Sequence, residues 1–227
     1  MSTKIIESST HHNKYNIFTS RREAGKQLSS YIEKLDVDIL LAIPNGGLPV
    51  ALGICDELSI PEFNLLMIRK IQLPWSTESG FGAVTIDGQL FINQRIIDYY
   101  SIPEIDVKEK INQAKKILES RLKNYNISSY DVQNKNVAIV DDGIASGFSM
   151  IAGVNWLYNQ HPKSIVIAIP TAPLSSIHTL IKETNVSNII CLNIRDHYSF
   201  AVADAYKNWY DVSDKEAQEI IKLLQTK

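Results

Sequence analysis

The chain has 227 residues, of which 44% are hydrophobic, and a formal net charge of −2 at pH 7. This length and apolar share suit one domain over residues 1–227. The charge gives no basic field for nucleic acid, and no apolar run is long enough for a membrane span. The N-terminus has no apolar signal core, so we expect a cytoplasmic protein. Cys55 and Cys191 lie far apart in apolar surroundings and are expected to be buried thiols.

The first predicted helix covers residues 19–34. Apolar side chains recur there at helical spacing, and the hydroxyl of Thr19 or Ser20 could cap its start. We expect the segment before it, with His11 and His12, to be a mobile tail. Metal binding by this histidine pair is the alternative.

A predicted strand over 37–43 leads into a glycine turn. Asn45, Gly46 and Gly47 form this turn, and a predicted helix follows from about 48 to 58. Glycines allow a backbone to approach a phosphate closely, and helix N-termini favour anions. An ordinary strand-to-helix loop is the alternative to an anion site here.

Two cations, Arg69 and Lys70, follow the next predicted strand, which covers 63–68. Cations at a strand terminus are often only solvated. Ligands bind, however, where the carboxyl ends of parallel strands meet at one edge of a sheet. We therefore expect both cations to face the same edge as the acid pair at 141–142.

A polar, glycine-containing segment over 74–82 precedes a predicted hairpin. Asp87 and Gly88 separate two short apolar runs, and this pair of residues suits a type I′ turn. Glu78 is the only acid of the polar segment, and the sequence assigns it no role.

A helical insertion is predicted over about 95–127. It contains a long amphipathic helix over 105–125, which we interpret as scaffold or as a subunit contact. The apolar face of that helix consists of Ile111, Ala114, Leu118, Leu122 and Tyr125.

The most informative stretch begins with a predicted buried strand over 137–140. Asp141 and Asp142 follow it, and a small-residue turn then leads into a helix over 148–158. Successive backbone N–H groups and the helix dipole make such a turn an anion site, and Gly147 leaves out a Cβ that would block a phosphate. The acids could hold sugar hydroxyls or a metal, so the pattern suggests a sugar phosphate. An acidic turn without function is the alternative, whereas a Walker A loop is excluded because no Gly-Lys-Ser/Thr is present.

Strands at 164–169 and 187–194 alternate with a helix at 175–183. This alternation predicts an α/β, Rossmann-like parallel sheet flanked by helices, with its core at about 19–194. The tail over 195–227 is rich in aromatic residues and ends in a predicted helix, for which Ser213 and Glu216 form a capping box.

The stretch 139–149, IVDDGIASGFS, resembles the phosphoribosyl-diphosphate (PRPP) signature of type I phosphoribosyltransferases. That signature has two apolar residues, two acids, three small or apolar residues, Thr-Gly, any residue, and Thr or Ser. Ser146 keeps the hydroxyl of the usual Thr, whereas Gly143 and Phe148 are less usual. The similarity continues through Phe18–Leu28, IPNGGLPVA, the Arg69-Lys70 pair, Gly82-Ala83-Val84 and FAV…WY…SDKE. It points to a group of phosphoribosyltransferases whose acceptor is not established.

The resemblance implies transfer of a 5-phosphoribosyl group from PRPP to a nitrogenous acceptor, such as a nucleobase, with release of pyrophosphate. It implies Mg²⁺, held mainly by the substrate, with Asp141 and Asp142 as candidate ligands. PRPP binding falls to Asp141, Asp142, Gly143, Ala145, Ser146, Gly147, Phe148 and Ser149. Pyrophosphate binding falls to Asn45, Gly46, Gly47, Arg69 and Lys70. The catalytic residues would be Asp141, Asp142, Arg69 and Lys70.

The resemblance also implies a flexible β-hairpin loop, here 74–82, that acts as a lid, and a small hood from terminal segments. Tyr198 or Phe200 in the tail would stack on the acceptor, with simple packing of the aromatic residues as the alternative. The expected partners are PRPP, a small-molecule acceptor and a second copy in a homodimer. Two other functions stay open: a non-catalytic module that senses PRPP or a nucleotide, and phosphate-ester hydrolysis.

Overall fold

The chain folds around two β-sheets. The computed structural model describes residues 3–76, 79–125, 127, 129–196 and 199–226. The strands are β1 (Lys4–Ile6), β2 (Ile39–Ala42), β3 (Glu62–Leu65), β4 (Ile68–Gln72), β5 (Gly80–Thr85), β6 (Leu90–Ile92), β7 (Asn136–Val140), β8 (Ser164–Pro173) and β9 (Asn188–Arg195). The helices are α1 (Arg21–Ile32), α2 (Gly47–Glu57), α3 (Gln94–Tyr99), α4 (Glu104–Tyr125), α5 (Phe148–Tyr158), α6 (Leu174–Glu183) and α7 (Asp214–Leu224).

The larger sheet is parallel throughout and has the strand order β1-β9-β8-β7-β2-β3. Its strands carry Val, Ile, Leu and Ala almost without interruption, because helices cover both faces. One apolar cluster includes residues of α1, α2, α4 and α7, and a second includes residues of α5 and α6. The predicted α/β architecture is confirmed. Since β2 and β7 are neighbours, the loops that follow them meet at one edge.

The smaller sheet has the order β4-β5-β6 and is antiparallel. It corrects the predicted strand over 63–68, because β3 ends at Leu65 and a separate strand starts at Ile68. Arg69 and Lys70 therefore lie within β4 rather than beyond a strand of the parallel sheet. Successive side chains of a strand point to opposite faces, so the two cations are directed apart.

The predicted hairpin is confirmed as β5 and β6, but its turn differs from the expected type I′. The Gly88 N–H donates to the Thr85 carbonyl at 2.9 Å, and the Thr85 N–H donates to the Gln89 carbonyl at 3.0 Å. Gly88 has φ +83°, whereas Asp87 is not among the residues with positive φ. A type I′ turn needs positive φ at both residues, so this is a three-residue loop with glycine in the left-handed position. The Asp87 carboxylate accepts hydrogen bonds from Thr85 and Trp156 instead.

The expectation of a mobile N-terminal tail is wrong. Residues 4–6 form β1 on the outer edge of β9. The His11 ring bonds Ser8 Oγ at 2.7 Å and Gln27 Oε1 at 2.8 Å. It also stacks on Phe18 at a centroid distance of 5.5 Å. A strand of three residues is too short to show the alternation of apolar and polar residues, so sequence reasoning did not predict it.

The long helix of the insertion is confirmed as α4. Ala114, Leu118 and Tyr125 are buried, as the apolar stripe predicts, and Ile111 and Leu122 pack against the core. The helix contacts β4, β5 and α7. Among the described residues, no helix has the length and apolar character needed to cross a membrane.

Candidate functional site

The two acids of the signature lie directly after β7, at the carboxyl edge of the parallel sheet. The Asp141 carboxylate accepts a hydrogen bond from the Asp142 backbone N–H at 2.8 Å. Burial and the neighbouring Asp142 carboxyl raise the pKa of Asp141 well above its ordinary value. Burial and the second carboxyl thus disfavour ionisation of Asp141 in the free protein, whereas a bound cation would favour it.

Arg21 is the direct partner of the second acid. Its Nε donates to Asp142 Oδ2 at 2.7 Å, and its Nη1 donates to the Tyr210 carbonyl at 2.8 Å. The guanidinium carbon lies 3.8 Å from the centroid of the Trp209 ring, and the side chain is only 5% exposed. Burial raises the pKa of Asp142, and the Arg21 charge opposes that rise. The start of α1 and the C-terminal segment thus meet at the acid pair.

Sequence reasoning did not single out Arg21 as a partner of the acid pair. It belongs to the stretch 18–28 that carries part of the resemblance, but no spacing relates it to Asp142, which lies 121 positions later. Only the fold brings these two residues together. Tyr206, which donates its hydroxyl proton to the Asp142 carbonyl, likewise stands in the sequence only as part of an aromatic tail.

Hydrogen bonds to neighbouring elements hold the turn between β7 and α5. The Ile144 N–H donates to the Thr171 carbonyl at 3.0 Å, and the buried Ser176 hydroxyl donates to the Ala145 carbonyl. A cavity of about 80 Å³ opens against this turn. Lys70, Asp141 and residues 143–150 line it, so the structure brings Asp141 together with every predicted turn residue. Asp142 is not part of this lining and faces Arg21.

The glycines near the site serve close packing and backbone geometry. Gly147 has φ +81° at the N-cap of α5, and a Cβ there would meet only ordinary contacts, the nearest at 3.6 Å. The left-handed conformation by itself therefore favours glycine at this position. A Cβ on Gly46 would lie 2.2 Å from Asp142 Oδ2, and one on Gly47 would lie 2.7 Å from the Val140 carbonyl. The first glycine turn thus packs directly on the end of β7.

The structure separates the two cations of β4. Lys70 lines the cavity beside the turn, and its charge acts to lower the pKa of Asp141. Arg69 lies near Arg121 and Asp214 instead, and burial is the main reason that its pKa is lowered. The expectation that both cations face the acid pair therefore needs correction for Arg69, because alternation along the strand turns it away.

A polar cluster from α4 and the start of α7 holds Asn45. Its Nδ2 donates to the Val212 carbonyl and to Asp214 Oδ1, both at 2.9 Å. The Tyr125 hydroxyl donates to Asn45 Oδ1 at 2.7 Å. Arg121 lies 3.5 Å from the same Asp214 carboxylate. These bonds fix the glycine turn to two helices, a role that the sequence did not reveal.

A larger cleft of about 870 Å³ runs beside the turn. Residues of the turn, the β4–β5 connection, α3 and the segment after β9 form its walls. The aromatic residues that line it are Tyr99, Tyr100, Phe148, Phe200 and Trp209. Flat apolar rings of this kind suit a planar ligand. Phe200, one of the two predicted stacking residues, lines this cleft, whereas Tyr198 and Glu78 lie outside the described residues.

Comparison with known proteins agrees with the family to which the signature points. The Phosphoribosyl transferase domain matches residues 14–205 of the chain. "Putative phosphoribosyl transferase Rv0571c" of Mycobacterium tuberculosis is 27% identical over 207 residues, which cover 88% of this chain and 45% of that relative. The chain therefore spans less than half the length of this curated relative.

Solved structures show the same fold. TT1426 from Thermus thermophilus is similar with a TM-score of 0.71 at 24% identity, over 90% of this chain and 97% of that chain. AQ2163 from Aquifex aeolicus is similar with a TM-score of 0.50 at 10% identity, over 83% and 81% of the two chains. At these identities the likeness concerns the fold alone.

Proposed function

Since the chain belongs to the phosphoribosyl transferase domain family, we propose that it transfers a 5-phosphoribosyl group from PRPP to a nitrogenous acceptor and releases pyrophosphate. One observation carries this proposal. Asp141, Lys70 and the small-residue turn enclose a single cavity at the carboxyl edge of the sheet. In such a site the carboxyl group can bind a sugar hydroxyl, and the backbone amides and the cation can bind phosphate groups.

The turn at 145–149 holds the 5′-phosphate of PRPP in this proposal. Residues of the turn line the cavity, and α5 starts at Phe148, so its first free N–H groups and its dipole lie at the same place. Ser146 and Ser149 add hydroxyl donors. Asp141 and Asp142 bind the ribose hydroxyls, which requires Asp142 to share its carboxylate with Arg21.

The pyrophosphate group lies between Lys70 and the Gly46–Gly47 turn in this proposal. Asn45 and Arg69 support that turn indirectly, because both face the Asp214 cluster. Mg²⁺ would bind substrate oxygens together with Asp141, and it would neutralise charge that develops on the leaving pyrophosphate. The raised pKa of Asp141 fits a carboxyl that ionises when such a cation binds.

The chemistry breaks the bond from the anomeric carbon to the pyrophosphate oxygen and forms one from that carbon to an acceptor nitrogen. The nitrogen then loses a proton to solvent or to a nearby base, and the bonding electron pair leaves with pyrophosphate. The protein supplies mainly positioning and charge placement for an oxocarbenium-like transition state. The acceptor occupies the aromatic cleft beside Phe200, under the hood from the C-terminal segment.

The test mixes wild-type protein with PRPP, Mg²⁺ and single acceptors from a panel of nucleobases and small amines. Release of pyrophosphate and an acceptor mass increased by one phosphoribosyl group are the expected result. Asp142→Asn should lower PRPP affinity by about 1.5–3 kcal/mol, because it removes a charged hydrogen-bond acceptor. Arg22→Met serves as the control, since it removes an exposed cation next to Arg21 that pairs with Asp56. PRPP affinity that is equal in wild type and Asp142→Asn would contradict the assignment.

A sensing module for PRPP or a nucleotide is the second candidate. The observation that favours it is the ion pair between Arg21 and Asp142. Arg21 engages the Asp142 carboxylate and also binds the Tyr210 carbonyl, so it links this acid to the C-terminal segment. PRPP binding without pyrophosphate release for any acceptor would support sensing over transfer. The expected homodimer is also a proposal, and light scattering after size exclusion tests it.

A further inference from the structure

Arg195 is a buried cation that the proposed reaction does not use. It ends β9 with only 1% of its surface exposed. Its guanidinium carbon lies 3.7 Å from the centroid of the Tyr15 ring, and its Nη1 donates a long hydrogen bond of 3.5 Å to the Lys14 carbonyl. Its Nε and Nη2 atoms are buried without any hydrogen-bond partner in the described part of the chain.

Such an arrangement is costly for a free protein. A buried charge needs a counter-charge or hydrogen bonds, because burial removes it from water. Nearly all buried polar side-chain atoms in proteins have a partner. Two buried donors without a partner on one guanidinium therefore indicate that a group with acceptor oxygens completes this site.

The surroundings of Arg195 point to the same kind of ligand. It lines a cavity of about 620 Å³ together with Ser146, Ser175 and His178. Helix α6 begins beside this cavity at Leu174, and its N-cap, Pro173, provides no side-chain hydrogen bond. The first N–H groups of α6 and the positive end of its dipole are thus available to an anion. One acid, Asp196, also lines the cavity, and its carboxylate lies 3.8 Å from His12 Nε2.

The position of the cavity relates it to the acceptor rather than to PRPP. Phe200 lines both this cavity and the aromatic cleft but not the small cavity of the PRPP turn, whereas Ser146 lines all three. Lys70 and Asp141, in contrast, line the small cavity of the PRPP turn. We propose that the Arg195 cavity binds an anionic substituent, a carboxylate or a phosphate, on the acceptor molecule. The assignment to an acceptor depends on the proposed transferase function, whereas the anion site itself does not.

The experiment measures thermal unfolding midpoints in sodium phosphate and in sodium chloride of equal ionic strength. Wild type is compared with Arg195→Met and with Lys182→Met, which removes an exposed cation near the other end of α6. Phosphate should raise the midpoint equally in wild type and Lys182→Met. The shift in Arg195→Met should fall to less than half of that value, while phosphate bound at the PRPP turn contributes equally to all three proteins. The same measurement with sodium acetate in place of phosphate tests whether the site also binds a carboxylate.

A phosphate shift in Arg195→Met equal to that of wild type would overturn the anion site. If Arg195→Met does not fold, Arg195→Lys and Ser175→Ala provide the same comparison, because each removes donors while keeping the charge of the site. Repeating the comparison of unfolding midpoints with saturating PRPP and Mg²⁺ tests whether PRPP or another ligand supplies the anion at this site. An Arg195-dependent shift that persists shows that PRPP does not fill the site, as the acceptor assignment requires, and one that disappears overturns that assignment because PRPP itself then fills the site. A wild type that shows no PRPP effect contradicts the transferase proposal and leaves the phosphate comparison intact.

Discussion

At the scale of single residues, we expect Asp141 to make the stability of the protein depend on pH. Its pKa is raised in the folded state, so between the ordinary value near 3.8 and the raised value the folded protein binds more protons than the unfolded chain. The free protein should therefore lose stability as pH rises through this interval. Asp141→Asn should flatten this loss, which urea unfolding at a series of pH values would measure. A slope that is the same in both proteins would show that Asp141 is not the group responsible.

Gly147 provides a second prediction at the residue scale. Gly147→Ala should cost about 1–2 kcal/mol of unfolding free energy, because its left-handed conformation disfavours a Cβ. Gly88→Ala is a matched control, since Gly88 has φ +83° and nothing within 4 Å of an added Cβ. We expect a similar loss of stability in both variants but weaker PRPP binding, measured by calorimetry, only in Gly147→Ala. Unchanged affinity in Gly147→Ala would show that the turn geometry does not determine phosphate binding.

At the scale of elements, the contact between α1 and α2 positions Arg21. A Cβ on Gly53 would lie 2.0 Å from the Arg22 carbonyl, so the two helices meet backbone to backbone. Gly53→Ala should destabilise the protein by about 1–3 kcal/mol, because overpacking forces the helices apart. It should also weaken PRPP binding, since it shifts Arg21 relative to Asp142.

Gly153→Ala in α5 is the matched control for that change. Its Cβ would meet the tips of the Ile68 and Leu66 side chains, which have rotamer freedom that a backbone carbonyl lacks. Both substitutions gain about 0.5–1 kcal/mol from the higher helix propensity of alanine. The difference between their unfolding free energies, measured by chemical denaturation, therefore reports the difference in packing. A smaller loss in Gly53→Ala than in Gly153→Ala would contradict the backbone-contact argument.

The connection between β4 and β5 is the element proposed as a lid. It is shorter than the predicted 74–82, because Gly80, Phe81 and Gly82 belong to the buried strand β5. Trp75 is 59% exposed and stacks edge-on against Tyr100 in the wall of the aromatic cleft. Chymotrypsin cleavage after Trp75 should slow with PRPP and Mg²⁺ but not with Mg²⁺ alone, as closure would protect the segment. If the rate of cleavage is the same without additions, with Mg²⁺ alone and with PRPP and Mg²⁺, this connection is a fixed loop rather than a lid.

At the scale of the whole molecule, the sequence predicted what depends on local pattern. The apolar run before Asp141 and the small-residue turn predicted β7 and α5, because strand burial and helix starts have short-range signals. The side chains that complete the site were not predictable in this way. Arg21 and Tyr206 reach Asp142 from distant parts of the chain, and Arg69 turns away from it because of strand alternation. Such contacts depend on how elements pack, and no spacing in a single sequence records that.

The short strand β1 has a practical consequence for anyone who shortens this protein. Residues 4–6 cover the outer edge of β9, whose Ile189 and Ile190 are fully buried. A version that begins at Thr10 would expose a row of unpaired N–H and C=O groups on an apolar strand, which is a template for pairing between molecules. Dynamic light scattering should therefore detect self-association in the trimmed protein at concentrations where the full chain scatters as one species, and identical scattering would contradict this. Trimming this N-terminal segment would thus replace an edge strand of 3 residues, β1, with one of 8 residues, β9.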